Sequence, residues 1–64
     1  MNQVIESQAQ VIATLVNNND EVFCHLFLEN QHFPVNIQDS ILNEVSRLKK
    51  CDAPSIAKVL DSFS

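Results

Sequence analysis

The chain contains no glycine, and this absence limits the ways in which it can turn. Glycine supplies the positive φ angles of tight β-hairpin loops, so a fold built on such hairpins is disfavoured. Breaks must come instead from asparagine, aspartate and proline, which cluster at residues 17–20, 31–36 and 49–54. The segments between these breaks are about 9 to 15 residues long, a length that suits helices better than strands.

The length of 64 residues limits the chain to one small domain, residues 1–64. A chain of about 60 residues buries only about 60% of its unfolded surface, so a single core of this size is marginal. The hydrophobic share of 45% and the net charge of −4 nevertheless indicate a folded rather than a disordered chain. We therefore expect an all-α fold, a small bundle of about four short helices that dimerisation or another partner would complete.

Three of the segments show the period of amphipathic helices. Residues 3–16, 37–50 and 54–63 each place apolar side chains along one face. The asparagines of residues 17–19 tolerate the left-handed conformation that ends a helix, and Asp20 suits the N-cap of the next one. Asp52 followed by Pro54 is a start signal for the last helix, and Asn36 with Asp39 forms a weak capping-box pattern for the third.

The second segment, residues 21–29, fits either a helix or a strand. As a helix it is apolar nearly all round, with His25 and Glu29 forming a polar stripe. As a strand it has suitable β-branched and aromatic residues, but nothing else in the chain could pair with it. We favour the helix and expect it to lie at the centre of the bundle, because an all-round apolar helix is buried on several sides. Phe23 and Phe27 would then be core residues.

The first segment has the widest apolar face. Its apolar residues span an arc of roughly 160°, wider than the ~100° stripe that docks on one core. A small bundle has few elements to cover such an arc, so we expect part of it to contact another chain. Gln8 lies at the centre of the arc, where its amide would bond across that interface, within its own chain, or to solvent. The predicted partner-binding residues are Val4, Ile5, Gln8, Val11, Ile12 and Leu15.

Cys24, His25, His32 and Cys51 are the soft metal ligands of the chain. Zinc sites use ligand pairs roughly two to four residues apart, and no pair here has that spacing. A catalytic thiol needs a base and a cleft, whereas the neighbours of Cys24 are apolar and disfavour its thiolate. We therefore expect no metal, no cofactor and no catalytic residue. His25 and Glu29, four residues apart, are expected to form a surface ion pair or a pH-responsive contact at an interface.

Charge is distributed unevenly along the sequence. Residues 1–32 carry four acidic residues and no Lys or Arg, whereas residues 33–64 carry four of each sign. A duplex-binding domain presents a basic face because phosphate neutralisation supplies most of its affinity, so nucleic acid is a disfavoured partner. Arg47, Lys49 and Lys50 cluster at the predicted end of the third helix, where they would complement its dipole or form a small patch for an acidic partner.

Residues 41–63 place two predicted helices across a short turn and so resemble the first two helices of a helix-turn-helix motif. A recognition helix must present polar and basic residues to the major groove, and the last segment offers only Lys58 as a cation. A small DNA-binding transcriptional regulator that uses residues 37–63 is therefore the alternative function rather than the favoured one.

By elimination, the sequence predicts a protein that is not an enzyme. We expect a protein–protein interaction module, such as a small regulator, inhibitor or adaptor, that binds a protein partner or a second copy of itself as a homodimer. The positive indication is that the chain has more apolar surface than a bundle this small easily hides.

The expected location is the cytoplasm. Residues 1–6 lack the basic start and apolar run of a signal peptide. No apolar stretch approaches the roughly 18 residues of a membrane-spanning helix, so we expect no membrane partner. Two cysteines allow at most one disulfide, too few for a disulfide-stapled scaffold, and fit small buried side chains in a reducing compartment.

Overall fold

A computed structural model describes residues 3–63, and positions 1, 2 and 64 lie outside the described residues. Within residues 3–63 the chain forms four α-helices and no strand. The helices are α1 (Gln3–Asn17), α2 (Glu21–Asn30), α3 (Val35–Ser46) and α4 (Ala53–Ser62). The predicted all-α bundle is confirmed, and residues 21–29 adopt the helix rather than the strand.

The four helices form a closed ring in which each helix packs on two neighbours. α1 contacts α2 and α4, α3 also contacts α2 and α4, and the most extensive of these contacts joins α1 to α4. α1 and α4 each supply three residues of the core, α3 supplies two and α2 supplies one. The core residues are Ile5, Ala9, Ile12, Leu28, Ile41, Val45, Ile56, Ala57 and Leu60.

The prediction that the second helix is the centre of the bundle is wrong. α2 buries only Cys24 and Leu28, while Phe23 is 56% exposed and Phe27 is half-buried. Among the described residues α2 contacts α1 and α3 but not α4, so one side of α2 is covered and the other faces outward. An apolar pattern around a helix shows which side chains the helix carries, but it does not show how many neighbouring helices cover them.

Residues 18–20 form the short turn that connects α1 to α2. Asn19 takes a left-handed φ of 58°, and its N–H donates to the Val16 carbonyl at 3.0 Å. The N–H of Asp20 donates to the Leu15 carbonyl at 2.9 Å, which completes the Schellman arrangement that ends α1. The carbonyl of Asp20 then accepts the N–H of Cys24 at 3.0 Å in the first turn of α2. One residue therefore closes one helix and opens the next.

α2 ends in the same arrangement, with histidine where glycine is usual. His32 takes a φ of 68°, and its N–H donates to the Glu29 carbonyl at 3.0 Å. The N–H of Phe33 donates to the Leu28 carbonyl at 3.1 Å. A left-handed conformation costs a non-glycine residue about 1–2 kcal/mol. Asparagine and histidine are among the residues found there most often, so they serve as helix stops in a chain without glycine.

α3 occupies Val35–Ser46 rather than the predicted residues 37–50. It begins early because the Pro34 carbonyl accepts the N–H groups of Ile37 and Gln38, both at 2.9 Å. Asn36 therefore lies inside the helix, and the predicted capping box does not form its start. α3 ends early because Arg47 already occupies its C-cap position, and the chain runs on as a loop to Asp52.

α4 begins at the predicted signal. The carboxylate of Asp52 accepts the backbone N–H of Ser55 at 3.0 Å, and proline occupies the first turn. Hydrogen bonds from the side chain and backbone of Ser55 hold the pKa of the Asp52 carboxyl below its ordinary value, and the charge of Lys50 acts in the same direction. A lowered pKa in the folded state means that this cap stabilises the fold at neutral pH and loses its effect as the pH falls through that pKa.

Replacing His32 by glycine should stabilise the protein. The substitution removes the steric cost of the left-handed conformation but adds backbone entropy to the unfolded chain, so the expected gain is about 0.5–1 kcal/mol. Thermal and urea unfolding followed by circular dichroism measure the change. His32→Ile is the matched opposite, since a β-branched residue resists a positive φ and should lower stability. Equal stability of the two variants would contradict this account of the turn.

The buried and exposed faces of α2 should respond differently to truncation. Leu28→Ala removes a fully buried side chain and should cost about 2–5 kcal/mol, comparable to the whole stability of a domain this small. Phe23→Ala removes a larger but exposed side chain and should cost less than about 1 kcal/mol. Urea unfolding of both variants against the wild type tests this, and a greater loss for Phe23→Ala would place α2 in the centre after all.

Candidate protein-binding face

α2 turns an apolar surface away from the bundle. Val22, Phe23 and Leu26 occupy this surface and are 70%, 56% and 49% exposed. Their spacing of one and four residues places them side by side on the helix, opposite the buried Cys24 and Leu28. Contiguous large apolar side chains on a protein surface are typical of interaction sites rather than of solvated helices.

The apolar surface continues from α2 onto α1. Phe27 is half-buried and lines a shallow groove between the two helices together with Val4 and Val11, which are 59% and 40% exposed. The other residues that line this groove are polar: Gln3, Ser7, Gln8 and Gln31. Phe27 lies one helical turn from Phe23, so the groove and the outward surface of α2 are continuous. Together these residues form the α1–α2 face: Val4, Val11, Val22, Phe23, Leu26 and Phe27.

The predicted partner-binding residues do not all lie on the surface. Val4 and Val11 belong to the α1–α2 face, and Gln8 and Leu15 are half-buried beside it. Ile5 and Ile12 are core residues with 7% and 0% of their surface exposed, so neither can touch a partner while the bundle is folded. The wide apolar arc of α1 is explained largely within the chain, because α4 covers one edge of it and α2 approaches the other.

The residues that the sequence interpretation missed are Val22, Phe23 and Leu26. The sequence pattern predicts that they are buried, because the whole of α2 is apolar. The apolar pattern of α2, considered together with the chain length, could have indicated that these residues are exposed. A bundle this small has too few elements to surround a fully apolar helix.

The amide of Gln8 finds its partner within the chain. Its Nε2 donates to Oε1 of Gln31 at 2.8 Å, which links the first half of α1 to the residue that caps the end of α2. This is one of the alternatives that the sequence left open, and it requires no second copy to satisfy the Gln8 side chain. The bond also shows that α1 and α2 run antiparallel, because the start of one lies beside the end of the other.

The acidic residues of α1 and α2 lie on different sides of these helices. Glu29 is exposed on α2, one turn from Leu26. Asp20 and Glu21 lie instead on the side of α2 that faces α3, where they line a cavity beside Cys24. Glu6 is exposed on α1, about 200° around the helix from Val4 and therefore away from the α1–α2 face. Residues 1–34 contain no Lys or Arg. The four cations of the chain, Arg47, Lys49, Lys50 and Lys58, all belong to the α3–α4 half. Lys and Arg are therefore confined to the α3–α4 half, which also carries four acidic residues, and Glu29 is the acidic residue beside the α1–α2 face.

His25 contacts α3 rather than forming the expected pair with Glu29. Its Nδ1 lies 3.2 Å from Oε1 of Gln38, and its Nε2 lies 3.9 Å from a carboxylate oxygen of Asp39. Gln38 is buried, and its Nε2 donates to the Phe33 carbonyl at 2.7 Å, so its Oε1 must face His25 as an acceptor. The Nδ1 atom of His25 therefore carries the hydrogen. This chain of bonds joins α2 to α3 and satisfies the buried amide.

Both cysteines are free thiols, and neither has the setting of a nucleophile. Cys24 is 1% exposed, and burial raises the pKa of its thiol, an effect that the carboxylates of Asp20 and Glu21 increase. Nucleophilic cysteines need the opposite shift. The Cys51 thiol is half-buried and contacts the Val45 carbonyl at 3.8 Å. Across residues 3–63, no group of three or more His, Cys, Asp or Glu residues is placed to hold a metal ion.

Alkylation should distinguish the two thiols in the folded protein. Cys24 should react with iodoacetamide at least about tenfold more slowly than Cys51, because it is buried and its thiolate is disfavoured. Mass spectrometry of timed digests measures both rates in one sample. In denaturant the two rates should converge, which controls for intrinsic reactivity. Faster labelling of Cys24 in the native protein would contradict the burial and restore the case for a reactive thiol.

The α3–α4 connection differs from the motif that it resembles. Six residues, 47–52, separate the two helices, whereas a helix-turn-helix uses a turn of about three or four residues. Arg47 is the C-cap residue of α3, and its guanidinium lies 3.9 Å from the Glu44 carboxylate. Lys49 and Lys50 follow in the loop. The last turn of α3 contains no basic residue, so of the three cations expected at the helix end only Arg47 stands at its C-cap.

No protein-family model, curated protein or solved structure matches this chain. Of the helices described between residues 3 and 63, none has the length and apolar character required to cross a membrane. What the protein does must therefore be inferred from its own side chains.

Proposed function

We propose that this chain is a non-enzymatic protein–protein interaction module, a small regulator, inhibitor or adaptor that binds a partner protein through its α1–α2 face. The supporting observation is the exposure of Val22, Phe23 and Leu26 on the outward side of α2. These side chains contribute little to the core, so the stability of the bundle does not account for them.

Burial of these residues would supply binding free energy. Complete removal of a Val, Leu or Phe side chain from water stabilises a complex by about 1.5–3 kcal/mol, and these three have about half or more of their surface left to bury. Phe27 and Val11 extend the surface into a groove, which gives a partner side chain a concave place to enter. Aromatic and aliphatic anchors that fill pockets are the residues that dominate binding at interfaces.

The proposed place of action is the cytoplasm. Both thiols are free although Cys51 is only half-buried, and free thiols persist in a reducing compartment. The module would accordingly act on a partner in the same compartment.

DNA binding is the competing function. Its support is the position of all four cations within residues 47–58, and what counts against it is that the same half carries four acidic residues. DNA affinity of this origin would fall steeply as salt rises, whereas binding through apolar side chains would not. A duplex titration at two salt concentrations therefore separates the two functions.

Site-directed photocrosslinking tests the proposed function. Benzoylphenylalanine at position 23, on the α1–α2 face, should yield a discrete protein adduct in extract of the source cells. The same group at exposed position 43 on α3 should yield none. Excess unlabelled wild type should abolish the adduct, while excess Leu26→Ser should compete poorly because it lacks an anchor on the face.

Two results would overturn this function. Adducts of equal yield at positions 23 and 43 would mean that the α1–α2 face is not selective. The result would instead support DNA binding if position 23 gave no adduct and the protein bound duplex DNA in a salt-sensitive way. That binding should be lost in a Lys49→Glu, Lys50→Glu variant.

A further inference from the structure

We propose that the cavity between α2 and α3 binds a small organic cation, an aliphatic amine with an apolar body. The cavity lies on the side of α2 that faces α3, away from the α1–α2 face, so this inference is independent of the proposed function. The observation behind it is an apolar floor bordered by two carboxylates that have no ion-pair partner in the described part of the chain.

The floor of the cavity is apolar. Cys24 and Val45 are 1% and 2% exposed, and Val16 and Leu42 are half-buried beside them. The Cys24 thiol has no hydrogen-bond partner among residues 3–63 and presents a soft, polarisable surface to a ligand. The volume of about 390 Å³ is at the small end for ligand pockets, so it suits a single ring or a short chain rather than a peptide helix.

Two carboxylates line the cavity beside this floor. Asp20 is half-buried at the N-cap position of α2, and its side chain makes no cap hydrogen bond. Glu21 is exposed next to it, and neither residue forms an ion pair within residues 3–63. Burial raises the pKa of the Cys24 thiol and the charges of both carboxylates raise it further, so these charges act on the floor of the cavity. An N-cap aspartate usually accepts backbone N–H groups, so a carboxylate that makes no such bond is available to a ligand.

No basic side chain of the described residues belongs to the lining. The remaining polar residues that line the cavity are Asn19 and Ser46. Arg47 follows Ser46 in the chain, but its guanidinium lies 3.9 Å from the Glu44 carboxylate. Glu44 lies about 200° around α3 from Ser46 and therefore away from the cavity. The charge of Asp20 and Glu21 is thus left for a ligand to neutralise.

The neighbouring helix ends favour the same sign of ligand. Val16 belongs to the last turn of α1, and Val45 and Ser46 belong to the last turn of α3. The partly negative C-terminal ends of two helices therefore border the cavity. The N-terminal end of α2 adds a partial positive charge, which the two carboxylates exceed. A cation is attracted, an anion is repelled, and a neutral molecule leaves the carboxylates unpaired.

A second, smaller cavity adjoins the first between the same helices. Its volume is about 290 Å³, and it shares Glu21, Leu42 and Ser46 with the larger one. Its own carboxylate, Asp39, lies 3.9 Å from Nε2 of His25, so a protonated histidine would already neutralise it. The larger cavity has no histidine in its lining and is the site that we assign to the ammonium group.

Three small molecules of similar shape test the inference. Phenethylamine is positively charged at neutral pH, phenethyl alcohol is neutral, and hydrocinnamate is negatively charged. Titration of the full chain, followed by amide chemical shifts, gives each affinity and locates the bound molecule. The amine should bind in the millimolar range or tighter, with the largest shifts at Val16, Cys24 and Val45. The alcohol should bind about tenfold more weakly, because it makes no charged hydrogen bond, and hydrocinnamate should not bind.

Paired variants separate the cavity from the net charge of the protein. Glu21→Gln and Asp20→Asn should each weaken amine binding by about threefold to tenfold. Glu29→Gln is the matched control, because it makes the same charge change on the same helix outside the cavity and should alter the affinity by less than about twofold. Ser46→Phe should obstruct the cavity and abolish binding, whereas Ser40→Phe, at an exposed serine of α3 outside the cavity, should not. Circular dichroism verifies that each variant is folded.

Four outcomes would overturn the inference. Equal affinities of the amine and the alcohol would show that the carboxylates do not select a cation. Equal effects of Glu21→Gln and Glu29→Gln would show that net charge, and not the cavity, attracts the amine. Largest shifts at Phe23 and Leu26 would place the amine on the α1–α2 face, and absence of amine binding would reject the site altogether. The adduct expected at position 23 depends on none of these results, so the proposed function is tested separately.

Discussion

The contact between the first and last helices holds the rest of the structure in place. α1 and α4 each contribute three core residues, among them the buried alanines Ala9 and Ala57, whose small side chains allow helix axes to approach closely. This pair supplies six of the nine core residues and α3 supplies two, so α2 contributes one, Leu28. Closing the ring through α1 and α4 therefore leaves α2 with an uncovered side.

Several helix starts and ends could be predicted from the sequence, but which side of each helix is covered by other helices could not. Asp52 and Pro54 start α4 where their types predict, and the asparagines of residues 17–19 end α1 as expected. α3 begins at Val35 rather than at residue 37, because the Pro34 carbonyl accepts the first hydrogen bonds of the helix without any side-chain cap. The position of α2 depends on which helices surround it, and periodicity along one segment carries no information about that.

The candidate site shows the same division. The wide arc of α1 predicts contact with another chain, and only the structure separates its core residues Ile5 and Ile12 from its surface residues Val4 and Val11. Gln8 looked like a residue of an interface because its partner, Gln31, is 23 positions away and not visible in any local pattern. The exposure of Phe23 on α2 could not be predicted, because an apolar residue gives the same sequence pattern whether it lies in a core or on a binding surface.

The shared residue between α1 and α2 has a consequence for recognition. Since the backbone of Asp20 bonds to both Leu15 and Cys24, the two helices have no flexible joint between them. The Gln8–Gln31 bond fixes the opposite end of the pair, so the surface that they form is preorganised before anything binds. A preorganised surface loses little conformational entropy on association, and the ordering cost falls on the other molecule. In the proposed interaction, this chain would then serve as a rigid surface against which the partner becomes ordered.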